Sequence, residues 1–129
     1  MASITVFGKE YPLFYTVAAQ DRLAKRFGKL EDIQKAFDAD LGAAAVMDNA
    51  AFIASALMLG AEERERVRCL AFGEEFAGPA ALTHEQLCAV LHPTEIGEVM
   101  KQAMAAMKEG SQVTVEAEAK NGKNADATQ

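Results

Sequence analysis

The sequence predicts a mainly α fold, in which a small N-terminal β-hairpin packs on a bundle of about five helices around a buried central helix. Three observations lead there. Leu41 to Gly60, LGAAAVMDNAAFIASALMLG, holds one charge, Asp48, and is rich in helix-favouring Ala, Leu and Met. As a helix it would run roughly 30 Å, and its apolar residues fall on every side, as in a central rather than a one-sided surface helix. Elsewhere apolar residues recur at spacings of three and four, most clearly Ile96, Val99, Met100, Ala103, Met104 and Met107. Strand-like alternation marks the first sixteen residues.

Residues 4–16 read as the hairpin. Ile4 and Val6 alternate with Thr5 and Phe7, and Tyr11, Leu13 and Tyr15 with Pro12 and Phe14. Gly8-Lys9 suits a type II′ turn, which needs glycine first. Thr16 is placed to cap a helix ending at Phe27, with Ala19, Leu23 and Phe27 inward and Gly28 as the left-handed terminator. A short helix from Leu30 to Phe37 puts Leu30, Ile33, Gln34 and Phe37 on one face. Gly60 marks the end of the central helix, after which AEERERVRCLAF resumes helically with Val67, Leu70 and Ala71 inward and its alternating charges solvated. Residues 72–82, with Gly73, Gly78 and Pro79, read as a loop. Thr83 and Gln86 form a capping box for a helix whose inner face is Leu87, Val90 and Leu91. His92-Pro93 breaks it, and Pro93 opens the final helix. The domain is expected to span 1–109. Residues 110–129 are polar and small and read as a flexible tail, with Val113 and Val115 able to dock.

Length allows one domain with a real core. A net charge of -6 argues against a nucleic-acid partner, which calls for a basic face. Asp48 and Asn49 near the middle of the apolar stretch argue against a membrane span. Two cysteines without a framework, and no basic start with an apolar run at the N-terminus, point to the cytoplasm.

No nucleophile–base pattern, P-loop or dinucleotide fingerprint is present, so no catalytic residue and no cofactor are assigned. His84, Cys88 and His92 stand four apart and invite a zinc reading, but no carboxylate clearly completes the set; the expectation is no metal site. Asp48 and Asn49 read as a polar pair bonding a neighbouring element. Ile96, Met100, Met104 and Met107 are the candidate partner-binding residues, because Met-rich surfaces adapt to irregular partners; the same stripe also suits core closure.

Several pieces in order resemble the tail assembly chaperones of long-tailed bacteriophages and prophages. They are the opening hairpin with Glu10-Tyr11, LAKRFG at 23–28 followed by LEDIQKAF, the apolar central helix, and LTHEQLCAVLHPTEIGEVMKQAMAAMKEG at 82–110. His92 stands where the family usually carries Thr. The resemblance implies a non-enzymatic protein of the bacterial host cytoplasm that binds and solubilises the tape measure protein and helps recruit tail tube subunits. Many such proteins also have a longer, frameshifted product, for which Lys120 to Asn124 is a candidate region. Working on a long client in many copies implies a homo-oligomer. Two other readings stand beside it. One is a small helical DNA-binding regulator or antitoxin using 83–91 and 93–108, whose second helix offers Lys101, Gln102 and Lys108 beside Glu95, Glu98 and Glu109. The other is a metal-binding domain on the His84/Cys88/His92 face.

Overall fold

A computed structural model of the chain describes residues 1–110; the expected tail with Val113 and Val115 lies outside the described residues from 111 onward. Strands β1 (Ser3–Val6) and β2 (Lys9–Pro12) pair antiparallel, with Ser3 opposite Pro12 and Val6 opposite Lys9. The turn is therefore Phe7-Gly8, not Gly8-Lys9. Both residues have positive φ, 52° and 75°, as a type I′ turn requires. The ladder also stops short of the expected residue 16. Beyond Pro12 the backbone turns to other partners, the Leu13 N–H donating to the Ala2 carbonyl and the Phe14 N–H to that of Leu57, each at 3.0 Å.

Helix α1 (Val17–Phe27) starts as its sequence dictates, with the Thr16 hydroxyl accepting the Ala19 N–H at 3.1 Å. Ala19 and Leu23 are fully buried. Gly28 ends it at φ 90°, ψ -133°, a positive-φ conformation outside the left-handed helical region expected there. Leu30–Phe37 is a 3-10 helix, whose three-residue turn buries Ile33 and Ala36 and leaves Gln34 exposed rather than inward. Asp38 then caps a single 3-10 turn, Ala39–Leu41, by accepting the Asp40 N–H.

The central helix α2 (Ala43–Phe72) is thirty residues long and passes through Gly60 without a break. Gly60 is a packing contact, not a terminator. A Cβ there would lie 2.5 Å from the Phe14 carbonyl oxygen and 3.1 Å from the Thr16 hydroxyl, so its absence lets the 14–16 segment cross the helix closely. Eight of the nine buried α2 residues lie between Ala50 and Gly60. Each large one, such as Ile53 or Leu57, contributes roughly 1.5–3 kcal/mol through burial. By length and hydropathy α2 would be sufficient to cross a membrane; 44% of that apolar window is buried in the protein's own core, chiefly between Ala50 and Gly60.

The distal end of α2 departs from expectation. Val67 and Leu70 are 65% and 83% exposed rather than inward, and Ala71 and Phe72 are exposed too. The 74–83 segment covers only the Glu62 and Cys69 side of this end, so Val67 and Leu70 find nothing to pack on among the described residues. Cys69 is the buried residue of this end.

An irregular segment, 74–83, leads back along α2 to α3 (His84–Val90). The capping box is present in full, the Thr83 hydroxyl accepting the Gln86 N–H at 3.1 Å and the Gln86 side chain accepting the Thr83 N–H at 2.9 Å. Leu87 is fully buried against α2, and Val90 and Leu91 are half-buried. Pro93–Glu95 forms a 3-10 turn that continues into a helix over residues 96–110, here α4. The Ser3 N–H donates to the Gln102 side chain at 3.2 Å, bringing β1 onto α4. The whole is mainly α, with the hairpin and surrounding helices gathered on the buried middle of α2.

Candidate functional site

Helix α4 presents two edges. Ile96, Val99, Ala103, Ala106 and Met107 turn into the core, and Met100 is half-buried against it. Met104, 36% exposed, borders a groove of about 500 Å³ between α4 and the 30–37 helix. Ile33, Tyr15 and Met107 supply its apolar wall, and Lys101 and Lys108 stand at its margin. The Tyr15 hydroxyl is buried with no hydrogen-bond partner among the described residues, and that burial raises its pKa. Of the four candidate partner-binding residues, Met104 and the edge of Met107 thus line an open surface. Met100 is packed against the core, and Ile96 lies at the other end of α4, bordering a separate void beside Asp48 and Cys88. The sequence pattern marks the stripe but not this division, which depends on where the 30–37 helix stops covering α4.

The second cluster sits where α1, α2 and α3 meet. Asp48 accepts a charge-assisted bond from Arg26 Nη2 at 2.6 Å on Oδ2, while Oδ1 lies 2.9 Å from His84 Nε2 and 3.7 Å from Cys88 Sγ. The Arg26 guanidinium in turn lies 4.4 Å over the Phe52 ring, which meets Phe27 and His84 edge-on. Partial burial works to raise the Asp48 pKa, but the contact with His84 and the Arg26 guanidinium hold it below the ordinary value. Burial and the neighbouring Asp48 carboxylate push the Cys88 thiol up.

The carboxylate that the His84–Cys88–His92 spacing lacked is therefore Asp48, and the third member of the helical series is not part of the group. His92 sits exposed at the turn into α4, where its N–H donates to Glu95 at 3.1 Å. Asp48 was visible in sequence as the lone charge of the apolar stretch. Its partners were not, because they come from two other elements. Asn49 behaves as expected of a polar residue there, donating to the Ala36 carbonyl at 2.9 Å. Cys69 is not part of the group: its thiol lies against Glu65 and the Glu75 carbonyl.

The charges after Gly60 do more than solvate a helix face. Glu63 takes both Arg22 terminal nitrogens, at 2.8 and 2.7 Å, tying α2 to α1. Glu62 accepts the Ala81 N–H at 2.7 Å and so fastens the 74–83 segment. Ser55, for its part, donates to the Leu82 carbonyl at 3.0 Å, a structural use of its hydroxyl. Comparison with protein-family models, curated proteins and solved structures finds no match to the chain.

Proposed function

We propose that this protein is a non-enzymatic tail assembly chaperone of a long-tailed phage or prophage. It works in the host cytoplasm, binding and solubilising the tape measure protein and helping to recruit tail tube subunits. The observation that carries the reading is the groove beside α4. Its apolar wall of Met104, Met107, Ile33 and Tyr15 has the form into which an amphipathic client helix lays its apolar face. Thioether side chains suit a client whose residues vary from turn to turn. Lys101 and Lys108 favour a client helix with carboxylates along its polar flank, while the net charge of -6 keeps loaded complexes apart. The ordered sequence resemblance supports the same reading.

Co-expression with the tape measure protein of the same phage or prophage tests the proposal. The soluble fraction of the client is expected to rise, and the two chains to co-purify. Met104→Ser should leave the fold intact, because Met104 is partly exposed, yet lower client recovery several-fold. Unchanged client solubility together with no co-purification defeats the reading.

A further inference from the structure

Three metal-binding atoms from distant parts of the chain converge beside the Arg26–Phe52 stack. They are Oδ1 of Asp48 on α2 and, on α3, Nε2 of His84 and Sγ of Cys88, all within 4.8 Å of one another. We propose that Asp48, His84 and Cys88 form a binding site for a thiolate-accepting divalent cation, zinc in the first instance. This inference is independent of the chaperone reading.

Geometry is the first argument. Tetrahedral zinc with bonds of about 2.0–2.3 Å holds its ligand atoms about 3.3–3.5 Å apart. The Asp48–His84 and Asp48–Cys88 separations, 2.9 and 3.7 Å, straddle that spacing, and the His84–Cys88 separation lies within 4.8 Å, a gap that a side-chain rotation on α3 would close. His84 and Cys88 stand one helical turn apart on α3, whose start is fixed by the Thr83–Gln86 box. Asp48 is held by Arg26 on its other oxygen, which leaves Oδ1 directed at the two α3 ligands. Outer contacts of this kind orient metal-binding carboxylates and imidazoles.

Proton and charge arithmetic agree with the geometry. The Cys88 thiol donates to the same oxygen that His84 Nε2 approaches, so a thiol hydrogen sits in the space that a cation would take. On binding, Cys88 loses its proton to solvent, and any proton on His84 Nε2 must also leave, so that the ring is the neutral tautomer with its hydrogen on Nδ1 while Nε2 binds the metal. A dication with one carboxylate and one thiolate is locally neutral, so Arg26 can remain in place. The thiolate selects against calcium and magnesium, which prefer oxygen-only shells. Three protein ligands leave a fourth position, and a void of about 280 Å³ lined by Asp48, Cys88, Met47 and Leu91 gives it room for water or an added ligand.

The test uses the full-length, tag-free chain, stripped with chelator, reduced without thiols and titrated with Co(II). Binding of one equivalent is expected, with a sulfur-to-cobalt charge-transfer band and the visible bands of a tetrahedral complex, both abolished by zinc. At least one proton should be released per metal, and zinc should raise the melting temperature. Cys88 is exposed, so Cys88→Ala should fold yet lose the charge-transfer band and the zinc-dependent shift. Asp48→Asn should weaken binding at least tenfold, whereas His92→Ala and Cys69→Ala should bind as wild type. A wild-type chain that gives no charge-transfer band overturns the proposal. So does a band that survives Cys88→Ala, or one lost on replacing Cys69 or His92.

Discussion

At Gly60 a single missing methyl group sets how close the N-terminal segment comes to the long helix. A Cβ would press on the Phe14 carbonyl, backbone that is itself anchored through the Phe14 N–H to Leu57. Gly60→Ala should therefore destabilise the protein by roughly 1–3 kcal/mol, as overpacking does. Gly97→Ala, whose added carbon meets nothing within 4 Å, should be neutral or stabilising by up to about 1 kcal/mol. Urea melts of the two variants make the comparison, and equal midpoints would deny the close crossing. Reading Gly60 as a helix end followed from local pattern, in which an isolated glycine marks a boundary. The reason it stays inside the helix lies in residues 14–16, distant in sequence, and no window around residue 60 contains it. Asp48 shows the complementary case. Its oddity among alanines was legible, while Arg26, His84 and Cys88 as its partners required the crossing of three helices.

At the scale of the element, the distal part of α2 is held by carboxylates rather than by apolar packing. Glu62 is kept below the ordinary carboxylate pKa first by the Ala81 N–H and then by Arg66, and Glu63 first by its bond to Arg22. Asp48 is also net lowered, by His84 and Arg26 acting against burial. A lowered folded pKa means stability that is fully present above the unfolded value and lost as pH falls through the folded one. The melting temperature should thus decline as pH drops below about 4.3, the ordinary Glu value. Glu62→Gln, which keeps an acceptor for Ala81 but no charge, should flatten part of that acid limb and lower stability at neutral pH. Thermal melts from pH 7 to 2.5 would show it, and an acid limb identical to wild type would assign the loss to other groups. The capped starts of α1 and α3 were legible because capping is local: a hydroxyl and an amide three residues apart suffice. The roles of Glu62 and Glu63 were not, since neighbouring residues on a helix point about 100° apart and these two reach different elements. The same limit misplaced Val67 and Leu70, whose spacing fits an inward face on a stretch that the described chain covers only on its Cys69 side.

For the molecule as a whole, the middle of α2 is the common support, and the fold class was legible because twenty nearly uncharged residues have few other uses. The join between the chain's first strand and its last described helix was not legible. The Ser3–Gln102 hydrogen bond spans 99 positions, and such a contact closes only after the large loss of chain entropy that it requires. Its formation belongs late in folding. Ile4→Ala, at a buried hairpin position, should therefore speed unfolding and leave refolding nearly unchanged, whereas Leu57→Ala should slow refolding. Stopped-flow chevrons separate the two, and an Ile4→Ala variant that refolds as slowly as Leu57→Ala would place the hairpin in the nucleus. The same join has a temporal side during synthesis. A ribosome adding about 5–20 residues per second delivers Gln102 roughly 5–20 s after Ser3. A lone hairpin is marginal in water, so residues 3–12 wait, half-formed, for the helix that carries Gln102 to emerge.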